Sequence, residues 1–279
     1  MSRFLKIILL SSTLIFIAVI SILSFFKSQE QKRTTLAAID STMATTGKTI
    51  CEKEIYISGN DTLPYRLFIP ERMDPRKKYP LLLFLHGAAQ RGNDNESQLS
   101  DIPYLLKDSA GRKDYLCYIL VPQCPLNKRW VEVNWGDSSE VMPNEISISE
   151  KLTVKLLGDL ERKLNVDSSR LYLVGLSMGG FGVWDLICRY PEKFAAAVPI
   201  CGGGDERQAK KIIQVPIWAF HGGLDYVVKP CRSINMANAV NAAGGNAKLT
   251  IYPKEYHAGW NAAFADPELF KWIFAQRKK

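Results

Sequence analysis

Beyond about residue 50 the chain alternates between short apolar runs and longer amphipathic stretches. Eight runs read as strands: 51–58, 63–69, 80–85, 116–121, 170–175, 195–200, 215–220 and 247–252. The run 80–85 (Pro-Leu-Leu-Leu-Phe-Leu) is apolar throughout, as expected for a strand covered on both faces. Gly59-Asn60-Asp61 between the first two strands is a hairpin signal, so these two should be antiparallel at one edge. The later strands alternate with helix-like stretches near 97–107, 145–165, 178–189, 231–243 and 266–277. Such alternation predicts an α/β domain, a mostly parallel eight-stranded sheet with helices on both faces. No internal repeat is visible.

The N-terminal pattern is different. Ile7–Phe26 is a 20-residue run without a charge, long enough to span a bilayer as a helix. Arg3 and Lys6 precede it, as in the leading region of an export signal. Residues 1–33 therefore read as a signal anchor or a cleaved signal peptide, and 34–49 as a linker, leaving one domain over 50–279. The predicted partner of the N-terminal segment is the membrane, with the domain exported, either anchored or free in a periplasmic or extracellular space.

Charge adds little to this picture. The formal net charge of +8 is local. Residues 1–33 carry a net +4, the terminal Arg277-Lys278-Lys279 adds +3, and +1 remains for everything between. No broad basic face follows from this, and nucleic acid is not an expected partner. The six cysteines form no Cys-x-x-Cys pair and no Cys/His cluster with metal-ligand spacing, so neither a metal nor an organic cofactor is predicted. Disulfides are allowed in an exported domain, but the sequence does not give their pairing.

The chemistry is concentrated where the strand at 170–175 runs into Gly175-Leu176-Ser177-Met178-Gly179-Gly180. A serine between glycines two residues away on either side, after a strand and before a helix, is a nucleophile elbow. In such a fold the chain order is nucleophile, acid, base. The next strand but one ends in His221-Gly222-Gly223-Leu224-Asp225, and the last strand is followed by Tyr256-His257. Asp225 and His257 thus follow Ser177 in the required order, in loops past strand ends, where parallel sheets place ligand-facing groups. His257 would take the serine proton and return it to the leaving group, and Asp225 would orient the imidazole. Asp205, one strand earlier, is the alternative acid. His221 precedes the acid and reads as a loop-shaping residue. The oxyanion hole needs two backbone N–H groups. Met178 after the nucleophile is one, and Ala88 in His86-Gly87-Ala88 is the other, with His86 supporting that loop.

These segments, with 83–95 (Leu-Phe-Leu-His-Gly-Ala-Ala-Gln-Arg-Gly-Asn-Asp-Asn), 121–125 (Val-Pro-Gln-Cys-Pro) with Trp130, and 194–205, resemble the bacterial "predicted peptidase" group of α/β-hydrolases. That group is related to carboxylesterases, dienelactone hydrolases and prolyl oligopeptidase-like enzymes. The resemblance covers roughly residues 50–276 and implies an α/β-hydrolase fold with a Ser–Asp–His hydrolase site. It also implies that the loop 86–92 and Gln123 lie near the site, with Gln123, like Trp130 and Trp135, a candidate substrate-binding residue. Gln90 departs from the group's pattern, where an acidic residue is expected. Dienelactone hydrolases use a cysteine nucleophile where this chain has Ser177.

Only Cys201–Gln214 separates two strands at the point where many α/β-hydrolases insert a lid, so no large lid domain is expected. The one sizeable irregular stretch, 122–144, carries Trp130 and Trp135. These tryptophans either wall a substrate groove or anchor a long loop. An open site suits a bulky or carbohydrate-linked ester. The leading reading is a carboxylesterase acting through an acyl-enzyme on Ser177. The alternatives are a serine peptidase and an inactive binding module.

Overall fold

The computed structural model describes residues 51–278 apart from 71–72, 104–105 and 107–111. The apolar span 7–26 and the linker 34–49 lie outside the described residues. Among the described residues no helix is long and apolar enough to cross a membrane.

Eight strands form one sheet: β1 (Cys51–Ser58), β2 (Asp61–Phe68), β3 (Tyr79–Leu85), β4 (Tyr118–Pro122), β5 (Val166–Leu176), β6 (Ala196–Ile200), β7 (Ile217–Gly222) and β8 (Ala247–Tyr252). Their order is β1-β2-β4-β3-β5-β6-β7-β8. β1, β2 and β4 pair antiparallel, and from β4 onward every neighbour is parallel. The hairpin turns at Gly59, whose φ of 64° is in the left-handed region that glycine adopts without strain. This is the architecture the pattern of apolar runs predicts.

β3 shows why the sheet is covered twice. Leu81, Leu83 and Leu85 enter one core and Leu82 and Phe84 the other, and all five are inaccessible to solvent. The first core is closed by α1 (Ile148–Lys163), α2 (Met178–Arg189) and α3 (Cys231–Ala242), through Leu152, Leu156, Trp184, Ile187, Met236 and Val240. The second is closed by α4 (Trp260–Ala265) and α5 (Pro267–Ala275), through Ala263, Leu269, Phe270 and Ile273.

Two expectations change. Of the stretch near 97–107, Ser97–Leu99 forms a 3-10 turn, and part of the remainder lies outside the described residues. The helix expected at 266–277 is preceded by a separate one, α4, with Asp266 between them capping the N-terminus of α5 through Glu268 N–H. The segment 201–214 holds only a 3-10 helix, Glu206–Ile212, in keeping with the short connection read from the sequence. The six cysteines are free thiols.

α1 contains a buried charge candidate. Its N-cap Ser147 accepts from Glu150 N–H at 3.1 Å, half of the Ser-x-x-Glu capping box. The Glu150 side chain does not return to the cap. It is fully buried against Gly182 of α2, no donor reaches its carboxyl oxygens, and the side chain it faces in hydrogen-bond reach is the Asp185 carboxylate. Burial, with the Asp185 carboxylate beside it, pushes its pKa well above the ordinary 4.5. The folded protein then keeps a proton that the unfolded chain releases above about pH 4.5, so this group's contribution to stability is full below that value and is lost as pH rises through the folded pKa. Glu150→Gln removes this proton linkage. Thermal melts between pH 5 and 8 should show a smaller fall in Tm for the variant than for the parent, with the variant the more stable at pH 8.

Candidate active site

The parallel strands all end on one edge of the sheet, and that edge carries the predicted chemistry. Ser177 follows β5 directly, with φ 52° and ψ −120°. This sparsely populated conformation costs on the order of 1–3 kcal/mol for a non-glycine residue. It is held by the Ser177 N–H donating to Ile200 O at 2.8 Å. The flanking glycines are obligatory. A Cβ on Gly175 would sit 2.5 Å from Gly179 O, and one on Gly179 would sit 2.0 Å from Leu85 O. The elbow therefore turns tightly because helix α2 begins in backbone contact with the end of β3.

Ser177 Oγ lies 2.9 Å from His257 Nε2, and His257 Nδ1 lies 2.7 Å from Asp225 Oδ2. The other oxygen of Asp225 accepts the N–H groups of Val227 and Val228, both at 2.9 Å. Burial alone would raise the Asp225 pKa. Hydrogen bonds from His221, His257 and the Val228 N–H outweigh it and hold the carboxyl well below the usual range, so it stays ionised. His257 is partly exposed and meets the edge of Trp260, ring centroids 5.3 Å apart.

Asp205, the alternative acid, is engaged elsewhere. It caps the helix 206–212, pairs with Arg207 at 2.7 Å and accepts the Met142 N–H at 3.0 Å. Met178 and Ala88 are the first residues of α2 and of the 3-10 turn Ala88–Gln90, so neither N–H has an acceptor within its own helix. The loop that carries Ala88 is fixed by His86. Its Nε2 accepts the Cys124 N–H at 2.9 Å, which leaves the hydrogen on Nδ1 to donate to Gly87 O at 2.6 Å. Burial pushes this imidazole down to about 4, so it is neutral. Arg91 Nε adds a hydrogen bond to Ala88 O at 2.9 Å.

Two of the expected substrate contacts are corrected. Gln123 is fully buried, accepting the Asn95 N–H at 2.7 Å and donating to Asp94 Oδ1 and Gln90 O. Trp130 is also fully buried, its indole N–H donating to His86 O at 3.0 Å. Both build the loops around the site and reach no solvent. Trp135 is partly exposed and lies beneath the Arg129 guanidinium, 4.5 Å from the ring centroid.

Sequence reasoning missed the role of His221. It is fully buried, with Nε2 at 3.3 Å from Asp225 Oδ2. The signal was its place four residues before the acid in a glycine-rich turn. Cys201, His221 and Asp225 form a group whose metal-binding atoms lie within 4.8 Å of one another. Burial pushes the Cys201 thiol up to about 12, and the other two are already engaged in hydrogen bonds, which makes this a poor cation site.

Sheet, elbow and edge constellation are those of the α/β-hydrolase fold, with Ser177 at the elbow. Consistent with this, residues 141–267 match the model of the dienelactone hydrolase family. A solved thermostable esterase is 33% identical, with a TM-score of 0.73, over 82% of this chain and 63% of its own. Poly(3-hydroxyalkanoate) depolymerase C of Paucimonas lemoignei is 29% identical over 126 residues, 44% of this chain and 28% of its own. Dipeptidyl-peptidase 5 of Porphyromonas gingivalis is 23% identical over 82% of this chain and 38% of its own. The chain thus spans well under half the length of these two curated relatives.

The reassignment of Gln123 is testable. Gln123→Leu strands the buried Asn95 N–H without an acceptor, which costs about 1–3 kcal/mol. Urea unfolding should show a loss of that size, with KM for an ester substrate unchanged. A raised KM at intact stability would restore the substrate-contact reading.

Proposed function

We propose that the protein is a serine esterase that cleaves bulky carboxylic esters through an acyl-enzyme on Ser177. The observation that carries this reading is the continuous chain Ser177 Oγ–His257–Asp225, with links of 2.9 and 2.7 Å. His257 Nε2 removes the Ser177 proton as Oγ attacks the ester carbonyl. The carbonyl oxygen becomes an oxyanion facing the Met178 and Ala88 N–H groups. Collapse breaks the bond to the alcohol, which leaves with the proton from His257. Water then repeats the sequence on the acyl-enzyme, releasing the acid and restoring Ser177.

Features at the mouth favour a large substrate. No lid stands between β6 and β7, and the neighbours of acid and base, Tyr226 and Tyr256, are exposed at 80% and 58%. Their ring centroids are 6.3 Å apart, an aromatic rim suited to the face of an acylated sugar or a similarly bulky alcohol. The esterase reading is preferred over the peptidase one because the 33% identical structure is an esterase, whereas the dipeptidyl-peptidase is 23% identical. We also propose that the domain is exported and tethered or released through the N-terminal apolar segment 7–26, whose charged lead and uncharged run support it.

Turnover of p-nitrophenyl butyrate, a feruloyl ester and a proline-containing peptide anilide separates the readings. Ester hydrolysis should dominate, and Ser177→Ala should lower kcat by on the order of 10⁴ or more. Cleavage of the anilide alone would replace the esterase by a peptidase. Ester hydrolysis that survives in Ser177→Ala would overturn the assignment of the nucleophile.

A further inference from the structure

His221 touches no reacting atom, yet it is bonded to the acid. Its Nε2 lies 2.9 Å from Val228 O and 3.3 Å from Asp225 Oδ2, and both oxygens accept only. Nε2 must therefore carry a hydrogen, shared between the carbonyl and the carboxylate. The same Asp225 Oδ2 receives His257 Nδ1 at 2.7 Å. One carboxylate oxygen thus serves two imidazoles, one buried and one at the surface.

The far side of His221 is equally fixed. Its Nδ1 lies 2.7 Å from Ser233 Oγ, and that hydroxyl lies 3.0 Å from Gly202 O. Gly202 presses on the first turn of α2, where a Cβ would come within 2.4 Å of Gly180 C. The chain of contacts runs from Ser177 through His257, Asp225, His221 and Ser233 to Gly202, and returns to the helix that begins at the nucleophile.

Resting on the esterase reading, we propose that His221 is a positioning residue for the reaction. It fixes the rotation of the Asp225 carboxylate and, by sharing Oδ2, limits how strongly that oxygen holds a proton on His257. The groups facing Asp225 are the Cys201 thiol after β6, His221 on β7, the neutral Ser233 of α3 behind it, and His257 after β8.

The test is the titration of His257. NMR of the imidazole in a Ser177→Ala background reads it without turnover, so its outcome is independent of the proposed esterase activity. His221→Leu leaves Oδ2 wholly to His257 and should raise the His257 midpoint. In the parent enzyme it should shift the acid limb of kcat/KM the same way and lower kcat about tenfold, with KM little changed. His221→Gln, whose side-chain amide can place an N–H near the Nε2 position, should bring both readouts back toward the parent. If His221→Leu fails to fold, Ser233→Ala should give a smaller shift in the same direction. A His257 midpoint that is unmoved or lowered in the folded variant would reduce His221 to a packing residue and overturn the proposal.

Discussion

The site depends on one steric constraint, the contact between the backbone of α2 and the ends of β3 and β6. Gly179 leaves no room for a Cβ beside Leu85 O, and Gly180 leaves none beside Ile200 O. Because the helix begins that close to the sheet, the chain must reverse within one residue after β5, and that residue is Ser177. The positive φ of Ser177 is the consequence. The compensation is collective, since β5 pairs with both β3 and β6 and its neighbours are apolar and fully buried. A deformation that relaxed the serine would have to separate strands whose side chains fill two cores.

The second determinant is electrostatic. Asp225 is buried, and a buried carboxylate is costly unless hydrogen-bonded. Here Oδ1 takes two backbone N–H groups and Oδ2 takes two imidazole N–H groups. The ionised form is thereby fixed before any substrate arrives, so its orientation need not be assembled during the reaction. Glu150 shows the opposite solution in the same domain. With no donor to its carboxyl oxygens and the Asp185 carboxylate beside it, burial favours its protonated form.

Much of this was legible in the sequence because it is encoded locally. The apolar runs gave seven strands within about two residues of their ends, and β5 proved longer at its start, where Val166 pairs with Tyr79 across an irregularity. The elbow and the order of acid and base follow from short motifs at strand ends. What was not legible depends on packing between distant segments. Nothing within 122–144 reveals that Trp130 faces inward onto His86 while Trp135 stays partly exposed. Gln123 looks polar and available, but Asn95, with φ 56°, brings its N–H onto it. α4 escaped notice because six residues are too few for an amphipathic period to register.

The strain at Ser177 is also repeated one strand further on. Cys201 follows β6 as Ser177 follows β5, and its φ is 49° against 52°. Each of these residues donates its N–H to the next strand in the sheet, Ser177 to Ile200 O at 2.8 Å and Cys201 to Phe220 O at 2.9 Å. The two hydrogen bonds extend the parallel ladder one step past the strands, which is how the sheet imposes both conformations. Cys201 thereby turns the chain into Gly202, whose backbone must lie flat against Gly180 and whose carbonyl faces Ser233. The repeat thus carries the geometry of the elbow sideways to the wall behind Asp225. Ser177 and Cys201 are registered by main-chain hydrogen bonds, so the spacing of these two turns is set by the sheet.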